Sequence, residues 1–110
     1  MHQLLIKGIS TDDICNISKS LIEELAAVCE CGTDNFTIDC IHSTSIFNGE
    51  IVDSFPFIEV KWFERGGDTR DRFAATIARH INTLKIPEFE IAFITYQEDC
   101  YYLNGKKFPQ

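Results

Sequence analysis

Arg65 stands in the run Trp62-Phe63-Glu64-Arg65-Gly66-Gly67, where a strand-like segment gives way to two glycines. Its guanidinium can grip a carboxylate through two parallel hydrogen bonds, and the free N–H groups of a helix starting nearby favour an anion in the same place. A small carboxylate is the ligand that suits this arrangement. Surface pairing of Arg65 with Glu64 or Asp68 is the competing reading, and the residues alone leave both open. His42 ends a predicted strand just before Ser43-Thr44-Ser45. An imidazole with an ordinary pKa of about 6.5 can carry a proton near neutrality or simply serve the structure. His80, beside Arg79, reads as a surface or boundary residue, and Arg70 and Arg72 read as solvated helix charges.

Tyr96, Tyr101 and Tyr102 crowd the C-terminal part of the chain. With Arg65 and His42 they complete the candidate substrate-binding set. A subunit interface is their other use, because a tyrosine ring buries area while its hydroxyl keeps a hydrogen-bond partner. Cys29-Glu30-Cys31 is the one close pair of thiols. It could begin a metal site, but no second Cys/His pair at ligand spacing follows, and Cys29 also fits an apolar helix stripe. No Gly-rich phosphate loop, Ser-centred nucleophile elbow or paired metal-ligand motif is present, so neither a metal nor a cofactor is expected.

The elements that position these residues come in two similar units, residues 1–43 and 56–96, each an apolar run, an amphipathic helical stretch and a second apolar run. In the first unit Ser10-Thr11-Asp12-Asp13 offers a cap and first-turn carboxylates. Ile14, Ile17, Leu21, Leu25 and Val28 then mark one buried helix stripe, and Gly32 is expected to stop it. Phe36-Thr37-Ile38-Asp39-Cys40-Ile41 alternates as a strand. In the second unit Phe57 to Phe63 is the strand, and Asp68 caps a helix striped by Phe73, Ile77, Ile81 and Leu84 that must end before Pro87. Phe89 to Tyr96 is the last strand. Asn48-Gly49 predicts a hairpin within the linker 44–55, and Asn104-Gly105 a second one within 100–108.

Two β-α-β units give an α+β fold, a four-stranded mixed sheet with both helices on one face and small hairpins, in a single domain spanning residues 1–110. If Leu4, Ile6, Ile38, Cys40, Ile91 and Phe93 face the helices, the other face carries Leu5, Ile41 and Ile94 among Lys7, Asp39 and Glu90. That mixed face suits contact with another subunit, with an ordinary solvated face as the alternative. A domain this small buries only about two-thirds of its unfolded surface, which also favours self-association.

Ten Lys and Arg against seventeen Asp and Glu give a net charge of −7, which opposes nucleic acid and anionic lipid as partners. No segment approaches the roughly 18 consecutive apolar residues of a membrane span. Five cysteines, with no export signal in Met1-His2-Gln3-Leu4-Leu5-Ile6-Lys7-Gly8, are expected to be reduced thiols, and the cytoplasm is the expected location.

The doubled unit, a first strand starting at residue 2, and the segments Ile41-His42-Ser43-Thr44, Phe55-Pro56-Phe57-Ile58-Glu59-Val60-Lys61-Trp62-Phe63 and Tyr101-Tyr102-Leu103-Asn104-Gly105 resemble a set of small uncharacterised bacterial proteins. Those proteins form a branch of the tautomerase superfamily, alongside macrophage migration inhibitory factor. The resemblance implies a homotrimer with pockets between subunits near the start of the first strand. It also implies, at the second position, a Pro that becomes N-terminal and carries a proton. Here that position is His2, and a bulky second residue is expected to retain Met1.

Two functions follow as expectations. One is a non-catalytic or altered trimeric module. The other is a tautomerase-like enzyme moving a proton on a small keto or enol acid, with His2 or the Met1 amine as catalytic base, Arg65 on the carboxylate and a Tyr as electrophilic partner. An acylphosphatase would need an anion-cradling Arg where this chain has Ile9-Ser10-Thr11. An RNA-binding domain would show stacking aromatics on a basic background.

Overall fold

Alternating inward positions define β1 (His2–Lys7) in the protein's structure, a computed structural model that describes residues 1–108. His2, Leu4 and Ile6 point into the core, while Gln3, Leu5 and Lys7 face the other way. After α1 (Thr11–Cys29) and a short 3₁₀ turn (Thr33–Asn35) the chain returns as β2 (Phe36–Ile41), parallel to β1 with Leu4 opposite Ile38. The linker carries a hairpin of β3 (Ser45–Phe47) and β4 (Glu50–Val52). The second unit is β5 (Phe57–Trp62), α2 (Gly67–Asn82) and β6 (Glu90–Thr95), again parallel, with Val60 opposite Phe93. A 3₁₀ turn (Glu98–Cys100) leads to the hairpin of β7 (Tyr102–Leu103) and β8 (Lys106–Lys107).

The two units join through an antiparallel β1–β5 pair, giving the sheet order β2-β1-β5-β6. The α+β arrangement expected from the repeats is therefore the one observed. Both helices share a core with the sheet: Leu21 and Leu25 of α1 and Phe73, Ile77 and Ile81 of α2 meet Leu4, Ile58, Val60 and Trp62, all fully buried. Burial of each such side chain contributes about 1.5–3 kcal/mol before the entropy of ordering is charged against it.

Local chemistry sets the helix ends, in places differently from the sequence expectation. Ser10 does cap α1, its Oγ accepting from the Asp13 N–H. The left-handed residue that ends the helix is Glu30 (φ 54°), not Gly32, which is extended (φ −80°). Glu30 tolerates the position because its N–H and that of Cys31 satisfy the orphan carbonyls of Ala26 and Ala27. A Cβ on Gly32 would sit 2.6 Å from the Asp34 carboxylate, the far end of an exposed side chain that can turn away. Asp68 does not cap α2. Gly66 (φ 91°) occupies that position, and its N–H donates to the Glu64 carboxylate. The helix also stops well before Pro87, at Asn82, in a turn where Lys85 takes positive φ.

His80 is buried rather than at the boundary. Its Nδ1 lies 2.9 Å from the Thr76 carbonyl, and its Nε2 lies 3.4 Å from the Glu24 carboxylate, which also pairs with Arg79 at 2.7 Å. Glu24 thus links the two helices. Both Asn-Gly hairpins form as the sequence predicts, with positive φ at Asn48, Gly49, Asn104 and Gly105.

Gly8 ends β1 with φ 79°, and a Cβ there would approach the Phe55 carbonyl and the Pro56 nitrogen at 2.7 Å. Gly105 shares the positive φ (81°) but faces open space. Gly8→Ala is therefore expected to lower unfolding free energy by about 2 kcal/mol, and Gly105→Ala by distinctly less. Equal midpoints in urea denaturation would refute the crowding argument.

Candidate functional site

Antiparallel pairing of β1 with β5 brings the start of the first unit to the end of the second. Met1 and His2 therefore meet the residues that follow Trp62, at the sheet end where β1 and β2 begin and β5 and β6 finish. His2 occupies the inward register and is 2% exposed. Its ring stacks on Phe36 at 4.5 Å between centroids and 14° between planes, with Phe73 and Trp62 at 6.1 and 6.3 Å. Inside this aromatic box the imidazole has two polar partners: Nδ1 lies 3.3 Å from the carbonyl oxygen of Asn35, and Nε2 accepts from the Arg65 Nε–H at 3.2 Å. Burial first, then the Arg65 guanidinium and the N-terminal ammonium, pushes the His2 pKa down to about 4. At neutral pH the ring is uncharged.

Arg65 is anchored on its other side by donating from Nη1 to the Cys29 carbonyl at 3.2 Å, one of the acceptors left open by the end of α1. Neither carboxylate expected to neutralise it does so. Glu64 turns to Arg70 at 2.9 Å and to the Gly66 N–H, and Asp68 lies 3.8 Å from Arg72. Among the described residues no carboxylate pairs with Arg65. The Met1 amine lies in the same field. Its pKa falls below the ordinary value of an α-amino group, through burial first and then Arg65, with Cys31 acting the other way.

Tyr96 and Tyr101 gather nearby but on the sheet face away from the helices. Tyr96, Tyr101 and Phe108 surround the Phe63 ring at centroid distances of 5.8, 4.9 and 6.3 Å. Burial raises the Tyr96 pKa above its usual value. Tyr102 is exposed on β7. His42 is not part of this group. It lies at the opposite end of the sheet, in a 660 Å³ cleft lined also by Gly8, Asp53, Phe55 and Pro87. The structure thus brings together Met1, His2 and Arg65, gathers Tyr96 and Tyr101 around Phe63 on the other face, and leaves His42 apart.

Asn35 and Cys29 hold the site through backbone carbonyls, so their residue types carry no signal in the sequence. The indole of Trp62 is a further member of the box, fully buried with no hydrogen-bond partner for Nε1 among the described residues. All five cysteines are free, and the described residues contain no cluster of three or more His, Cys, Asp or Glu that could hold a metal ion.

This arrangement of sheet and helices is the fold of the tautomerase and macrophage migration inhibitory factor superfamily. A macrophage migration inhibitory factor-like protein from Entamoeba histolytica superposes with a TM-score of 0.72 at 15% identity, over 97% of this chain and 98% of that one. A fused 4-OT, described as an asymmetric trimer, gives 0.77 at 12% identity, over 96% and 94%. Within that fold the chain belongs to the family described as domain of unknown function DUF1904, whose model matches residues 1–107. A crystal structure from that family, from Sebaldella termitidis, is 30% identical with a TM-score of 0.90, covering 98% of this chain and 100% of that one. No curated protein matches the chain.

The buried imidazole makes stability depend on pH with a definite sign. Unfolded, His2 binds a proton below about 6.5; folded, it resists protonation down to about 4. The His2 contribution is therefore complete above pH 6.5 and lost as pH falls toward 4, a change of about 3 kcal/mol. His2→Phe keeps the stacking ring without the titration. Denaturation at pH 7.0 and 4.5 is expected to show a smaller acid loss in this variant than in wild type, and an equal loss would contradict the assignment.

Proposed function

We propose that this chain is a trimeric module that binds a small carboxylate at Arg65, with the proton transfer typical of the fold lost or altered. The carrying observation is a guanidinium held at two points, by His2 and the Cys29 carbonyl, while both neighbouring carboxylates are drawn elsewhere. A fixed and uncompensated guanidinium is a ready receptor for a carboxylate. The Met1 ammonium adds a second positive charge beside it.

Several features support assembly into trimers. Leu5, Lys7, Ile41, Phe57 and Glu59 line a 360 Å³ depression on the sheet face left bare by the helices. The β3–β4 arm exposes Ile46, Phe47 and Ile51 at 70%, 74% and 77%. The radius of gyration is 15.2 Å, against about 13 Å for a compact chain of this length. Projecting apolar arms and an apolar depression on one chain fit self-association. We place the protein in the cytoplasm, a reading supported by its free thiols, and no described helix is long and apolar enough to cross a membrane.

One observation favours a second reading, a tautomerase-like enzyme acting on a small keto or enol acid. The lowered pKa of the Met1 amine makes its neutral form, the form that takes a proton, more populated near neutrality. In that case the amine is the base and Tyr96 or Tyr101 the electrophilic partner.

Calorimetry with phenylpyruvate is expected to show binding that Arg65→Ala weakens at least tenfold, as loss of a charged hydrogen-bonding anchor predicts. Unchanged affinity would remove Arg65 from the site. Enolisation assays before and after acetylation of the amine separate the two readings, since only the enzyme loses a rate. Light scattering is expected to give three times the chain mass, and a monomer would sink the assembly.

A further inference from the structure

We infer that His2 is a positioning residue that works as a neutral hydrogen-bond acceptor, holding the Arg65 guanidinium in place for its ligand and releasing it when the ring takes a proton. This deepens the carboxylate-binding reading and rests on it. The argument begins with the tautomer. Arg65 Nε carries a hydrogen at every accessible pH, so the atom facing it at 3.2 Å, His2 Nε2, must present a lone pair. The hydrogen of the neutral ring then sits on Nδ1 and donates to the Asn35 carbonyl. The alternative tautomer would set two N–H groups against each other at Arg65 and two acceptors against each other at Asn35.

A half-turn of the ring offers no escape: it would keep the stack on Phe36 but present carbons to Asn35 and Arg65 in place of the two nitrogens. The backbone carbonyl of Asn35 therefore selects the tautomer, the tautomer supplies the acceptor, and the acceptor fixes the guanidinium. Two of the five N–H donors of Arg65 are engaged inside the protein, by His2 and the Cys29 carbonyl, and the others are left for a ligand. A side chain as long as arginine loses much rotamer freedom when a ligand orders it, so holding it beforehand strengthens binding.

The same geometry makes the hold sensitive to protons. A proton on Nε2 replaces the acceptor with a donor and places a positive ring against a guanidinium. The charged groups around it do not relieve this. Arg65 follows β5, the Met1 ammonium precedes β1, and Arg72 of α2 lies in the field of Cys29. Cys29, at the end of α1, is kept a neutral thiol by burial and offers no compensating charge, and Cys31 lies just beyond it in the field of the Met1 amine. Arg65 is therefore expelled from its anchored position when His2 is protonated.

Nitrogen-15 NMR of the full chain tests the tautomer without any ligand. The expected spectrum has a protonated Nδ1 and an unprotonated Nε2 for His2, and a slowly exchanging Arg65 Nε–H that disappears as the ring titrates. A protonated Nε2 at pH 7 overturns the inference. Phenylpyruvate affinity is the second arm: His2→Phe, which keeps the ring but lacks the acceptor, is expected to bind about tenfold more weakly, and His2→Gln, whose amide oxygen can accept, to recover part of the loss. Wild-type affinity is expected to fall with acid in step with the His2 titration, whereas that of His2→Phe stays flat over the same range. Equal affinity and equal Arg65 Nε–H exchange in wild type and His2→Phe also overturn the inference. If Arg65→Ala binds phenylpyruvate as wild type does, the carboxylate reading fails, yet the NMR arm still decides whether His2 holds Arg65.

Discussion

The antiparallel pairing of β1 with β5 is the constraint on which the rest of the molecule depends. Each β-α-β unit alone would leave two parallel strands with an exposed edge and one helix with half a core. Placing Leu4 opposite Val60 and Ile6 opposite Ile58 at the sheet centre closes both cores at once. It also decides which sequence-distant residues meet. Because the strands run oppositely, residue 2 falls beside residues 62 to 65 rather than beside residue 57, so a site made of Met1, His2 and Arg65 follows from strand direction.

A buried imidazole is an expensive occupant of a core unless both nitrogens are satisfied. Here they are, and each partner comes from a different element: the Asn35 carbonyl from the turn before β2 and the guanidinium from the loop after β5. The same guanidinium also closes the end of α1 through the Cys29 carbonyl. One arginine therefore ties together the first strand, the first helix and the loop that opens the second helix. No described carboxylate competes with these anchors, since Glu64 turns to Arg70 and Asp68 lies 3.8 Å from Arg72.

Periodicity made the architecture legible. The spacing of Leu21 and Leu25, the alternation through Ile58, Val60 and Trp62, and two Asn-Gly turns place the helices, strands and hairpins. Helix ends were less legible because backbone hydrogen bonding chose them: Glu30 rather than Gly32 stops α1, and Gly66 rather than Asp68 begins α2. The site was legible in part. Arg65 stands out by residue type, and Met1 and His2 through the resemblance to the tautomerases, whereas the carbonyls that orient His2 and Arg65 belong to residues whose side chains play no part. Whether Glu64 pairs with Arg65 could not be read from adjacency in sequence, since it turned on where Arg70 and the Gly66 N–H lay. His80 misled for a similar reason: its burial depends on Glu24 of the other helix.

The exchange of an expected proline for His2 alters more than the amine. A proline side chain has no hydrogen-bonding group, so a chain with proline at this register offers Arg65 no side-chain acceptor from β1. In this chain the imidazole supplies that acceptor and fills the box between Phe36 and Phe73. His2 and the anchored Arg65 are therefore parts of one device, and substituting either removes the polar partner that makes the other tolerable where it sits. The Met1 amine lies one residue further out, in the field of the same guanidinium. Two cationic groups so placed favour an anion through charge and hydrogen bonding whether or not a proton moves, so the recognition proposed for this site does not depend on catalysis.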